Sequence, residues 1–363
     1  MPSSLARWLP VLALLPALLP RAALAEPYLA VETGLKCGAC HVNPTGGGLR
    51  TAFGDTFAQF ALPARHLATG ADTWNGALGE FLRLGGDLRF DANATQVPHT
   101  QTLDQFELEQ SRIYLAASPI PDRLLVYADE QIAPGGALNR EAYALYWSAG
   151  HDWYVKAGQM YLPFGWRLQD QSAFVLQASG INMTTPDRGV EVGWLGGPWD
   201  AQLTVSNGTA AGTVTDSRKQ YGGQLSFVRT LWRIGLAANY NDKSAASRAA
   251  WGVFGGLRTG PVQWLAEADL IEDRGQSPPL RTAATLLEAN VRLAPGHNLK
   301  LTSEFLDPDR GIPNNGETRW SLVYELTPIQ FLQVRTGVRY GDGIPQDDAE
   351  HTRIYFLELH GFF

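Results

Sequence analysis

The sequence predicts an all-β fold, a transmembrane antiparallel β-barrel of about sixteen strands with a short helical segment at its N-terminal end. Three observations predict it. From Glu80 onward, short segments alternate apolar and polar residues between turn-forming clusters. The connections between these segments alternate between short and long. Beyond the N-terminus, no stretch approaches the roughly 20 uncharged apolar residues that a membrane helix needs, although hydrophobic residues make up 45% of the chain and charged ones only 18%.

Residues 1–25 have the layout of a secretory signal. Arg7 ends a short polar head, an apolar run extends from Trp8 to Pro20, and Ala23-Leu24-Ala25 supplies an A-x-A cleavage site before Glu26. Pro10, Pro16 and Pro20 interrupt the run, which argues against a membrane anchor. Loss of Arg7 and Arg21, with no acid lost, would take the formal net charge from −7 to −9. An acidic exported chain is a poor match for nucleic acid, whose phosphates call for a basic surface.

The only two cysteines fall in one motif, Cys37-Gly38-Ala39-Cys40-His41, with the C-x-x-C-H spacing of covalent c-type haem attachment. Two thiols three positions apart reach the two vinyl groups along one haem edge. The next residue brings its imidazole to the iron as the proximal ligand. Cys37 and Cys40 are therefore the expected attachment points and His41 the expected metal ligand for a single haem c. Three other uses of the spacing fit less well. A thioredoxin-like pair needs a βαβ context, a zinc site needs a fourth ligand, and a disulfide across so few residues would constrain very little chain.

For the sixth iron position, no Met lies between the signal and residue 160, and His66 is the only other His before residue 99. His66 is either the distal ligand or a solvated His beside Arg65. The iron is otherwise open, or weakly ligated by a barrel side chain such as Met160 or His99. The run Gly46-Gly47-Gly48 either lets backbone pass close to a flat cofactor or forms a plain turn. No G-K-[ST] follows, so it is not a phosphate loop. Leu49, Phe53, Phe57 and Phe60 recur at helical spacing within 49–62 and form an expected apolar stripe against the haem face or an ordinary small core. Residues 26–79 are too few for a complete cytochrome with its own core, so they are expected to form a haem-bearing plug or cap on the barrel of residues 80–363.

Sixteen candidate strands start near Phe81, Gln105, Arg123, Asn139, Trp153, Gly189, Trp199, Gln220, Trp232, Ala249, Val262, Thr282, Asn298, Thr318, Gln330 and His351. In the clearest, Leu332, Val334, Val338 and Tyr340 share one face, with Gln333, Arg335, Gly337 and Arg339 on the other. Alternation alone would also suit a soluble sandwich. The loops decide, because short turns such as Gly196-Gly197-Pro198 and Thr230-Leu231 alternate with long connections such as Asn207–Lys219 and Asp307–Glu317. Membrane barrels alternate in this way and have an even strand number. Trp153, Trp199, Trp232, Trp264 and Tyr324 lie near expected strand ends, where an aromatic girdle belongs.

The longest connection, Leu162–Arg188, either folds inward to narrow the pore, with Arg167, Asp170, Asp187 and Arg188 setting its field, or lies solvated at the surface. Gly158-Gln159-Met160-Tyr161-Leu162-Pro163-Phe164-Gly165 resembles a stretch common in porin families, which implies the inward course. The mixed signs of Arg83, Asp87, Arg89, Glu304, Arg335 and Arg339 suggest no single-sign filter and suit structural ion-pair ladders equally. Nucleophilic catalysis has no support, as there is no G-x-S-x-G and no spare cysteine. In the last strand Tyr355, Leu357, Leu359 and Phe363 share a face, and the terminal aromatic resembles the C-terminal strand of bacterial outer-membrane proteins.

One C-x-x-C-H near the N-terminus of an exported chain, followed by a porin-like barrel ending on Phe363, resembles the fused monohaem cytochrome–porins of bacterial outer membranes. The resemblance implies an outer-membrane location in contact with lipid and electron transfer through one covalent haem. It implies a periplasmic cytochrome or similar carrier as partner. Extracellular iron, or another small redox donor, would stand on the other side, and in some members ferrous iron is oxidised. The alternative is a solute porin in which the haem segment is a structural plug or a redox gate. A single haem cannot bridge an apolar band about 25 Å tall, so it is expected in the lumen or at the periplasmic mouth.

Overall fold

A computed structural model of the chain describes residues 26–67, 73–208, 217–242, 246–275, 277–344 and 351–363. The expected signal, residues 1–25, lies outside the described residues. A two-residue strand, Ala77–Leu78 (β1), pairs with the start of Leu82–Gln96 (β2). From there sixteen strands, β2 to Thr352–Phe362 (β17), run antiparallel, each pairing with its neighbours in sequence. β17 pairs with β2 from Arg353↔Gln96 to Phe362↔Asp87, so the sheet closes and leaves no edge. Each strand starts within two residues of its expected position. Local alternation fixes them, because a register slip of one residue would exchange the two faces.

The faces are arranged as in a membrane barrel. Outward residues are apolar and open: Phe106 is 78% exposed, Leu203 70% and Leu236 61%. Inward residues are polar and covered, with Lys156 and Glu191 fully buried and Gln202, Gln263 and Glu288 close behind. A soluble sandwich would reverse this. Two aromatic girdles bound the apolar belt. Trp153, Trp194, Trp199, Trp232 and Trp264 ring the short-turn end, and Tyr221, Tyr240, Trp251, Trp320, Tyr340 and Tyr355 the long-loop end, all half-exposed. The expected alternation of loop lengths holds except once, where the nominally long connection 134–137 is no longer than the short one at 148–152. Among the described residues, no helix is long and apolar enough to cross a membrane.

Residues 26–67 fold inside the barrel towards its short-turn end. Helix Pro27–Thr33 (α1) starts on a Pro in its first turn and ends on Gly34, whose φ of +70° closes the cap. A single 3-10 turn, Cys37–Ala39, follows. Helix Ala52–Phe60 (α2) is capped by Thr51, whose hydroxyl accepts from the Gly54 amide at 3.0 Å. The α1 end is tied to the wall by Arg233, which donates to the Ala30 and Leu35 carbonyls, and by Arg258, which donates to the Glu32 carbonyl. Ala64 donates to the Thr327 carbonyl near the end of strand Glu317–Ile329 at 2.8 Å.

One expectation is corrected. The stripe Leu49, Phe53, Phe57 and Phe60 does not form one buried face: Phe53 is 50% and Phe60 39% exposed, while α2 buries Gly54, Asp55, Ala58 and Gln59. The surroundings are a polar lumen, so the buried face carries polar groups. Asp55 pairs with Arg83 at 2.8 Å, and the Gln59 amide bonds the Trp74 backbone.

The long connection after Trp153–Met160 (β6) takes the inward course. Leu162, Phe164, Trp166, Leu168 and Ala173 are buried against the barrel's inner wall, together with Val175 and Leu176 from a short helix, Phe174–Ser179 (α3). The luminal charges form ladders. Arg335 sits between Glu325 and Glu358, Arg319 pairs with Glu304, Arg89 with Asp87, and Arg339 with Asp170 of the inward loop.

The lipid-facing assignment is testable at Leu236, mid-strand on Trp232–Asn241 (β10). Leu236→Arg should cost about 2–4 kcal/mol when the chain is refolded into bilayers and titrated with urea. A loss within ~0.5 kcal/mol, as at an ordinary exposed site, would contradict the membrane-facing assignment.

Candidate functional site

The C-x-x-C-H segment is one tight turn. The Cys40 and His41 amides both donate to the Cys37 carbonyl, at 3.1 and 3.0 Å, which brings the two cysteines onto the same side. Thr51 links the turn to α2: its amide donates to the Cys40 carbonyl and its hydroxyl to the Ala39 carbonyl at 2.8 Å. His41 forms an isolated antiparallel bridge with Arg50, so the chain doubles back across Gly46-Gly47-Gly48. All three glycines have positive φ, and a Cβ on Gly48 would stand 2.2 Å from the Tyr127 hydroxyl. That hydroxyl accepts from the Leu49 amide at 3.2 Å. The glycine run is thus a turn pressed against the barrel wall.

Asn43 fastens this turn to the lumen. It is fully buried, and its amide nitrogen donates to both carboxylate oxygens of Glu141, at 3.1 and 3.2 Å. Its oxygen accepts from the Thr45 amide and hydroxyl and from Lys156. Glu141 also accepts from the Tyr161 amide at 3.0 Å, and Lys156 pairs with Glu191 at 2.8 Å. One network therefore joins the motif turn, the wall and the start of the inward loop.

Two adjoining cavities flank His41. The first is lined by Cys37, Cys40 and His41, with Leu29, Trp166, Phe254, Arg167 and Arg233 among its walls. The second is lined by His41 and Gly47 together with Arg50, Arg89, Arg112, Arg167, Met183 and His360. His41 is buried, and its Nδ1 has no hydrogen-bond partner. Burial, helped by the Arg50 charge, pushes the imidazole pKa down to about 3. The Gly48 and Gly47 carbonyls, near the ring but outside hydrogen-bonding geometry, act in the opposite sense. The ring is neutral at any ordinary pH, as a metal ligand must be. Burial raises the Cys37 thiol and takes Cys40 up to about 11. Reactive redox cysteines are shifted the other way.

The structure thus brings Cys37, Cys40 and His41 to one cavity. His66 lies elsewhere: it is exposed, its Nε2 is 3.0 Å from the Phe60 carbonyl, and its ring rests against Phe60. Met160 is buried with Tyr127 and Tyr143, and His99 sits in the 97–102 turn. Met183, on the inward loop, was not singled out in the sequence, yet it lines the second cavity with its sulfur 3.4 Å from where a Gly47 Cβ would be. The carboxylates of Asp91, Glu109 and Glu358 also converge within 4.8 Å of one another. They come from three strands, and Glu358 is already engaged by Arg335.

The fold is that of a porin-like outer-membrane β-barrel. The chain resembles an anion-selective porin from Comamonas acidovorans, with a TM-score of 0.62 at 11% identity over 78% of this chain and 99% of that one. A loop-deletion form of OmpT, an outer membrane protein of Vibrio cholerae, gives 0.60 at 12% identity over 78% and 99%. The outer membrane channel DcaP of Acinetobacter baumannii gives 0.58 at 15% identity over 78% and 97%. No protein-family profile and no curated protein sequence matches the chain.

Asn43→Ala should release the motif turn at a cost of about 1–3 kcal/mol, because Glu141 loses its buried partner. Urea unfolding would register the loss, and limited proteolysis should cut within residues 41–50. A variant as protease-resistant and as stable as the parent would show that the network does not hold the turn.

Proposed function

We propose that this is an outer-membrane barrel of porin type whose lumen is closed by an N-terminal plug carrying one covalent haem c, and that it passes electrons through that haem. The observation that carries the reading is the meeting of both cysteines and His41 at one cavity inside the barrel. Cys37 and Cys40 would each add a thiol across one vinyl double bond, the proton going to the vinyl carbon. His41, neutral and without a partner at Nδ1, would hold the iron. Bound there, haem supplies a one-electron ferric/ferrous couple. Trp166, Phe254 and Leu29 would cover its apolar surface, and the Asn43–Glu141–Lys156 network would fix the attachment turn. The plug is bonded to the short-turn end, which in outer-membrane barrels faces the periplasm. That supports a periplasmic cytochrome or similar carrier as one partner. A small donor, such as iron, would reach the haem from the long-loop side.

The likeness to porins favours the second reading, a solute channel in which the same segment is a structural plug or redox gate. The two separate cleanly in sealed proteoliposomes. Cys37→Ala/Cys40→Ala should abolish covalent haem and trans-membrane electron transfer while the barrel still assembles. Electron transfer that survives the double substitution would refute the haem route. Planar-bilayer conductance equal in parent and variant, without electron transfer in either, would establish the channel.

A further inference from the structure

The second cavity carries an unbalanced positive charge. Four arginines line it, Arg50, Arg89, Arg112 and Arg167. Arg89 is paired with Asp87 at 3.1 Å and Arg112 with Asp129 at 3.4 Å, while Asp87 is shared with His360 and Glu26 is engaged by Lys300. Arg50 and Arg167 are different. Arg50 lies over the Phe362 ring, 4.7 Å from its centroid, and Arg167 donates to the Gly46 and Tyr161 carbonyls at 2.7 and 3.0 Å. Neither has a carboxylate partner among the described residues. Asp55 lies close enough to Arg50 to feel its charge but pairs with Arg83 at 2.8 Å, so the two luminal guanidiniums have no carboxylate of their own and call for an anionic ligand, because desolvating an unpaired charge is expensive.

The order of residues along the two cavities says which ligand. Cys37 and Cys40 line only the first, Arg50 only the second, and His41 and Arg167 line both. A haem tethered at the cysteines and centred at His41 directs its opposite edge away from the cysteines. That edge bears two propionates, which match in number and charge the two guanidiniums of the second cavity that lack a carboxylate partner. We infer that Arg50 and Arg167 bind the two propionates of the haem, an assignment that rests on the haem reading above. Arg50 belongs to the plug and Arg167 to the inward loop, so the cofactor would bridge the two and hold the plug against the barrel.

The full chain, exported and matured in a host able to attach haem c, provides the test. Covalent haem is read by the mass of the chain. Propionate contacts are read by the propionate bending modes in resonance Raman spectra, and charge by the midpoint potential. Arg50→Gln and Arg167→Gln should each retain covalent haem, shift one propionate mode and lower the potential, with both effects larger in the double variant. Lowering is expected because a nearby cation disfavours the ferric state, and Arg→Lys at either site should restore most of the potential while leaving the Raman shift. Covalent haem with unchanged propionate modes and potential in the double variant would overturn this assignment and leave the haem reading standing. A parent chain without covalent haem would overturn both.

Discussion

Closure of the sheet between β17 and β2 is the constraint on which the rest depends. Once the edge is gone, each side chain faces either lipid or lumen, and alternation along sixteen strands places the polar ones inside. Where other chain fills this closed lumen, many of its charges are held in pairs. Lys156 and Glu191 are fully buried and 2.8 Å apart, and Arg335 is shared between Glu325 and Glu358. Such pairs gain little over apolar packing. Their effect is on what the lumen accepts, since a segment entering it must supply hydrogen bonds at the right places.

That requirement explains the shape of the plug. Asn43 is buried because Glu141 and Lys156 need a group that both donates and accepts. Asp55 and Gln59 occupy the buried face of α2 because Arg83 and the Trp74 backbone lie opposite. The inward loop follows the same rule in reverse. Its apolar run, Leu162 to Leu176, covers a sector of wall where Ala237, Ala250, Phe254, Leu265 and Leu286 interrupt the polar surface.

Legibility in the sequence divides along the same line. The strands could be read because alternation is a local property, and even the bulged ones begin where expected. The C-x-x-C-H segment could be read as one compact unit because its three side chains lie within five residues. Helix α2 is turned otherwise than its apolar stripe suggests, because burying that stripe requires an apolar wall opposite, and Phe53 and Phe60 stay exposed. Helix α1, Pro27–Thr33, gave no periodic signal over so short a stretch. Met183 and the pairing of Arg50 with Arg167 around His41 depend on the inward course of a connection running from 161 to 186. No local pattern brings those positions together.

The plug also bears on the choice between channel and electron carrier. To open the lumen, residues 26–67 would have to leave the short-turn end, breaking the bonds of Arg233, Arg258 and Arg292 to α1 and to Ala61, of Lys36 to the Leu195 and Trp199 carbonyls, and of Ala64 to Thr327. Each contributes about 0.5–1.5 kcal/mol, more where a charge is involved. Together they make displacement costly unless an external ligand drives it. A plug that stays in place is a poor gate but a suitable mount for a redox group, whose distance to its partner must not vary. On that reading the barrel serves mainly as an insulated sleeve. On the same reading, one haem against an apolar band about 25 Å tall would require the second partner to enter from the long-loop end.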